Sequence, residues 1–193
     1  MAIIGDSHAE HLFPGLADRL GNRNIVFYGM DGLPFLSNPD YAKIYAYVVA
    51  DRNISEVVIA AVWDRKLRQL AVADWRLELT RTISHLTNAG KRVYLVDDVP
   101  KFSFLPNRCK YAGRLGIENK CTEKDDSIIA IYTPIFREIA AADNAVRLLS
   151  IHGVFCKEAL CRMAQDGNLL FRDEHHLTLT GSMKAADAMI KQM

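Results

Sequence analysis

Ala2-Ile3-Ile4-Gly5-Asp6-Ser7-His8 opens the chain. A short apolar run that breaks at a glycine reads as a buried strand, residues 2–4, ending in a turn that presents a serine. Residues 8–20 follow with Leu12, Phe13, Leu16 and Leu20 at helical spacing; Pro14 either interrupts that helix or marks a fresh first turn. Strand and helix patterns then alternate. Strands are expected over residues 24–28, 56–62, 92–96 and 145–149. Helices are expected over 41–51, 74–89, 123–142 (with Pro134 as a point of bending) and 180–191. Residues 101–123 read as a long irregular loop. The run Val57-Val58-Ile59-Ala60-Ala61 is apolar at every position, as a strand covered on both faces must be. The pattern predicts an α/β fold: a three-layer sandwich around a central parallel sheet of about five strands. Ligands bind such sheets beyond the carboxyl ends of the strands, where residues 5–7, 29–32, 63–65 and 97–100 fall.

The chain has 193 residues, half of them apolar, and a formal net charge of +1. That suits one domain with a real core and gives no global electrostatic pull toward nucleic acid. No apolar run approaches the ~18 residues of a membrane helix. Neither repeats nor a linker are apparent. Because the serine-bearing strand sits directly against Met1, we expect residues 1–193 to be a single domain taken from a longer polypeptide. The four cysteines form two local pairs, Cys109 with Cys121 and Cys156 with Cys161. This reads as two disulfides stapling irregular segments in an oxidising compartment. The competing reading is four buried thiols in a cytosolic protein. A zinc site is disfavoured by the absence of C-x-x-C.

Near the other end stands Asp173-Glu174-His175-His176-Leu177. Three residues apart in a helical turn, Asp173 and His176 share one side, so Asp173 can accept from Nδ1 of His176 and leave Nε2 to take a proton from Ser7. His175 points elsewhere in that geometry. Ser7 starts a helix, so its backbone N–H can also serve as an oxyanion donor. The competing readings are an ordinary helix cap at Asp6 or Ser7, with surface histidines, and a metal site. For the latter, Asp6, His8 and His11, approached by His175 and His176, offer enough nitrogen and carboxylate.

The combination of Gly5-Asp6-Ser7-His8 with Asp173-x-x-His176-Leu177-Thr178 resembles the SGNH (GDSL-like) hydrolase superfamily, whose fold is flavodoxin-like. More closely, it looks like the periplasmic SGNH domain fused to membrane-embedded acyltransferases of the acyltransferase-three type, which O-acetylate surface polysaccharides. Pro14, Trp63, the Cys156…Cys161 pair and the lead-in Leu169-Leu170-Phe171-Arg172-Asp173 belong to the resemblance. It implies Ser7 as nucleophile, His176 as base and Asp173 as its orienter, without a cofactor. A glycine N–H should complete the oxyanion hole, with Gly29 and Gly32 both candidates. The family's third motif carries an asparagine donor; here the chain reads Ala60-Ala61-Val62-Trp63-Asp64-Arg65, which fits the acyltransferase-associated branch. Asp6, His8, Trp63 and Arg65 are candidates to line the pocket, with a buried structural tryptophan as the competing reading for Trp63. The partners implied are a membrane acyltransferase domain, an acyl donor and a polysaccharide acceptor. The location implied is extracytoplasmic, tethered to the inner membrane. A stand-alone carbohydrate esterase, or a degenerate glycan-binding module, is the alternative.

Overall fold

In the computed structural model, which describes residues 1–110 and 121–193, the first strand and its turn are built as the opening residues dictate. β1 (Ala2–Gly5) runs into α1 (Ser7–Glu10) and then α2 (Phe13–Arg19). The helix expected over residues 8–20 is therefore two pieces, and Pro14 lies in the first turn of the second, where its missing N–H costs nothing. Next come β2 (Val26–Gly29), α3 (Pro39–Ala50), β3 (Glu56–Ala60), α4 (Trp63–Leu67), α5 (Val72–Asn88) and β4 (Arg92–Val96). A 3₁₀ turn, Pro106–Arg108, begins the long connection expected over 101–123; residues 111–120 of it lie outside the described residues. The chain continues with β5 (Thr122–Lys124), α6 (Ile129–Ala141), β6 (Val146–Leu149), α7 (His152–Phe155), the short strands β7 (Cys156–Lys157), β8 (Leu160–Arg162), β9 (Ala164–Gln165) and β10 (Asn168–Leu169), and α8 (Leu179–Ile190).

The central sheet has five strands in the order β2-β1-β3-β4-β6, all parallel. Alternation along each strand divides the core in two. Ile3, Val58 and Tyr94 face a layer containing Leu12, Leu16, Ala185 and Met189. Ala2, Ile4, Val57, Ile59, Val93 and Leu95 face Tyr41, Tyr45, Leu79, Ile83 and Phe136. The continuous apolar run at residues 57–61 is thus explained by helices on both sides. Each such side chain contributes about 1.5–3 kcal/mol on burial.

The strand order reverses between β1 and β3, so the carboxyl ends of these two strands open a crevice there. Gly5 makes the approach possible: a Cβ at that position would lie 1.7 Å from the Ala60 carbonyl oxygen. α2 packs on α8 so closely that a Cβ on Gly15 would lie 2.3 Å from the Ser182 carbonyl. The Gly15 N–H donates to Ser182 Oγ at 2.9 Å.

Two further expectations are corrected. The helix expected from residue 123 starts at Ile129, because residues 122–124 pair with β8 in a small antiparallel sheet of order β5-β8-β7. The Ile128 N–H is then held by Asp64. The third strand stops at Ala60 rather than Val62, because the Val62 N–H turns to the Asp6 carboxylate. Trp63 begins α4, which apolar periodicity does not reveal. The cysteines pair as expected, Cys109 with Cys121 and Cys156 with Cys161. The second bridge joins directly opposed residues of β7 and β8.

Candidate active site

Asp6 organises the crevice. Its side chain caps α1 by accepting from the His8 N–H at 2.8 Å and accepts from the Val62 N–H at 3.0 and 3.2 Å. The ammonium of Lys66 sits 2.7 Å away. One buried carboxylate thereby ties the turn after β1 to the turn after β3. Lys66 extends the brace to Asp31 Oδ1 at 3.0 Å and the Gly32 carbonyl at 2.8 Å. The cap uses the N–H groups of His8, Ala9 and Glu10; that of Ser7 takes no part in it.

Ser7 and the Asp173 turn, far apart in sequence, meet here. Ser7 Oγ lies 2.9 Å from His176 Nε2, and His176 Nδ1 lies 2.8 Å from Asp173 Oδ2. The second oxygen of Asp173 accepts from the N–H groups of His175 and His176 at 2.9 and 2.7 Å. Burial opposes charge on Asp173, but these two N–H groups and the His176 ring hold its carboxyl below the usual range. A carboxylate so fixed keeps the imidazole in the tautomer with Nε2 free to accept. The arrangement can take a proton from the serine hydroxyl and return it to a leaving group.

The serine opens onto a cleft of about 350 Å³, lined by Glu10, Phe27, Gly29, Asp31, Arg65 and Lys66 among others. Gly29 borders the cleft. Gly32 does not, and its N–H is already taken by Asp31 Oδ1 at 2.7 Å. Arg65 lies on the cleft wall. Trp63 does not: it is fully buried, donates Nε1–H to the Val96 carbonyl at 2.8 Å and packs edge-on against Phe136. Its role is to seat α4 on the sheet.

The other imidazoles beside the site, His8, His11 and His175, lie against one another. His8 Nδ1 meets Asp98 Oδ1 at 2.5 Å and His8 Nε2 meets His175 Nδ1 at 2.9 Å. His11 is buried beside them, and its pKa is driven well below the ordinary value by burial and by the neighbouring imidazoles. Asp6, the carboxylate that the metal reading needed, is spent on Val62 and Lys66. Sequence reasoning placed residues 97–100 at a ligand-binding strand end but gave Asp98 no role, and it passed over Lys66. The acidic pair Asp97-Asp98 just past β4 was a usable signal for the first; nothing in the local sequence marks Lys66.

A family model described as an SGNH domain fused to AT3 domains matches residues 1–191. The chain belongs to this SGNH family. No curated protein matches the chain significantly. Among solved structures, the SGNH chain is similar to the periplasmic domain of a lipopolysaccharide acetyltransferase of Salmonella ser. Paratyphi A, at 18% identity and TM-score 0.71, over 98% of this chain and 82% of that one. It is also similar to a candidate SGNH hydrolase from Slackia heliotrinireducens, at 14% identity and TM-score 0.65, over 100% and 97%. A third is the C-terminal catalytic domain of peptidoglycan O-acetyltransferase A of Streptococcus pneumoniae, carrying a methylsulfonyl adduct, at 16% identity and TM-score 0.52, over 99% and 90%. The SGNH domain described here shares their fold.

Proposed function

We propose that this SGNH domain transfers an acyl group, acetyl in the first instance, to a hydroxyl of a surface polysaccharide by way of an ester on Ser7. The observation that carries the reading is the unbroken chain Ser7 Oγ, His176, Asp173 at 2.9 and 2.8 Å on the wall of an open cleft. In the first half-reaction Ser7 Oγ attacks the acyl carbonyl, its proton passes to His176 Nε2, and that proton leaves with the departing group. In the second, His176 takes the proton of the acceptor hydroxyl, whose oxygen attacks the ester carbonyl; the bond to Ser7 Oγ breaks, and Nε2 returns the proton to that oxygen, restoring the serine hydroxyl and the neutral base. Asp173 stabilises the imidazolium in both. Negative charge on the tetrahedral oxygen meets the Ser7 N–H and the backbone at Gly29.

The family's fusion to AT3 domains supports a membrane acyltransferase as the partner on the same polypeptide and source of the acyl group. The acetyltransferase neighbours support acetyl as the group moved. The two disulfides and the periplasmic neighbour support an extracytoplasmic, membrane-tethered site of action. We read residues 1–193 as one domain of that longer protein.

Incubation with an activated acetyl ester followed by mass spectrometry tests the nucleophile. An acetyl adduct on Ser7 is expected; a folded Ser7→Ala variant with normal turnover refutes the serine mechanism. His176→Ala should abolish turnover, while Asp173→Asn should keep a residual rate about 10⁴-fold below the parent, since Asp173 orients the base without moving a proton. Comparison of acetate release with glycan acetylation separates transferase from esterase. Fast hydrolysis that no glycan diverts makes a stand-alone carbohydrate esterase the better description.

A further inference from the structure

Beside the serine, a second carboxylate–imidazole chain is built to the same plan. Asp98, two residues past β4, is nearly fully buried; its Oδ1 faces His8 Nδ1 at 2.5 Å and also accepts from the Val99 N–H at 2.8 Å. A carboxylate only accepts, so Nδ1 of His8 carries a proton and Nε2 faces His175. The His8 and His175 rings stack with centroids 5.1 Å apart and share a hydrogen bond of 2.9 Å. His8 is 3% exposed, so this chain runs from the interior outward to His175. Burial lowers the pKa of His8, but Asp98 outweighs it and raises it; burial and the neighbouring imidazoles lower His175 to about 4. A proton added to the pair therefore sits on His8, and His175 stays a neutral ring.

His175 also borders a small enclosed cavity of about 40 Å³, together with Asp98, Val99, Lys101 and Ser127. This cavity shares Val62 and Arg65 with the cleft at Ser7. Its size admits a hydroxyl group or a water, which needs only ~10–15 Å³ of such space, and not a sugar ring. The His175 and His176 rings are 4.1 Å apart, so a group held by the first lies beside the base that serves Ser7.

We propose that Asp98, His8 and His175 form a second hydrogen-bonded relay that seats one hydroxyl of the acceptor in this cavity, so that a neighbouring hydroxyl of the same sugar meets His176 and the Ser7 ester. This rests on the acyl-transfer reading above and makes the acceptor a vicinal diol. His175 is then a positioning residue: it holds the second hydroxyl and moves no proton in the reaction. The holding works in either protonation state, because Nε2 of His175 accepts from the hydroxyl when His8 is neutral and donates to it when His8 is charged.

The probes are propane-1,2-diol and propan-1-ol, which differ by that neighbouring hydroxyl, offered with an aryl acetate as donor. The parent chain should pass acetyl to the diol about tenfold more efficiently than to the monoalcohol, the worth of one well-made hydrogen bond. His175→Ala should bring the ratio to about one, chiefly through the diol's KM, while the acetyl-Ser7 burst changes far less than transfer does. His175→Gln, whose amide both donates and accepts, should restore part of the preference. An equal preference in the parent, a preference that survives His175→Ala, hydrolysis with no transfer to either alcohol, or a burst that falls in proportion to transfer overturns the proposal. Absence of an acetyl-Ser7 burst in the parent instead sinks the acyl-serine reading. The relay is then judged by imidazole ¹⁵N spectra, where a coupling between His8 Nε2 and His175 Nδ1 that weakens in Asp98→Asn is expected; its absence in the parent refutes the relay.

Discussion

Asp6 shows how one side chain can set the geometry of the Ser7 turn without touching the serine. It is 5% exposed and is satisfied by two backbone N–H groups and the Lys66 ammonium. A buried ion pair adds little net stability when intact but costs several kcal/mol when one partner is removed. Asp6→Ala should therefore lower stability by about 3 kcal/mol, seen as a lower urea midpoint at unchanged slope. It should also depress acyl turnover, because the Val62 turn is no longer tied to Ser7. Lys66→Met, which leaves Asp6 hydrogen-bonded to the same N–H groups but without its counter-charge, should be destabilising too. A variant of Asp6 with parental stability would show that the pairing is idle. The Ser7–His176–Asp173 reading came from two short motifs, because a strand end and an i, i+3 spacing are local properties of the chain. The partners of Asp6 were not legible, since Lys66 reaches it only after β3 and α4 have packed.

Elements are where pattern reading divided most clearly. The five sheet strands were all found, because short apolar runs between breakers mark the exposed edge strand β2 as well as the buried β3. α4 was missed: it is five residues long, and it buries two side chains, Trp63 and Leu67, too few for a readable period. Residues 123–124 read as helix in isolation and became strand because β8 was available to pair with them, a case of tertiary context overriding local preference. The α2–α8 contact gives a test at this scale. Gly15→Ala places a methyl against the Ser182 carbonyl, so the helices must separate; a cost of about 1–3 kcal/mol is expected for such overpacking. Ser182→Ala, which removes the acceptor for the Gly15 N–H without adding volume, should cost about 1 kcal/mol. Equal stability of Gly15→Ala and the parent, measured by thermal unfolding, would mean the helix pair is more compliant than the contact implies.

For the whole molecule, stability should depend on pH through its buried imidazoles. His11 and His175 have folded-state pKa values depressed from the ordinary 6.5, His175 to about 4. The unfolded chain binds their protons first, so the stability they confer is complete above pH 6.5 and is lost as pH falls toward the folded values. His8, raised by Asp98, acts in the opposite sense: its contribution is full below 6.5 and is lost as pH rises through its folded value. Two imidazoles against one predict a Tm that falls between pH 7 and pH 5. His11→Gln should flatten this dependence, and a Tm that rises on acidification would contradict it. The disulfides act on the same global scale. They close separations of 12 and 5 residues, so reduction should cost about 2–3 kcal/mol for the larger loop, measured as a drop in Tm on adding reductant.

The sequence by itself determined the layer architecture, the strand that delivers Ser7, the pairing of the cysteines and the turn that pairs Asp173 with His176. Periodicity, breakers and short spacings carry that information, and they act over a few residues. Only the tertiary structure decided that Trp63 is core and Arg65 is cleft wall, that Gly29 rather than Gly32 borders the serine, and that His8, Asp98 and His175 join in one chain. Those outcomes depend on which groups from different strand ends reach one another once the sheet is assembled. A residue's own neighbours in sequence say nothing about that, because the partners are chosen by the register of β1, β3 and β4 and by the burial that leaves each polar atom in need of one.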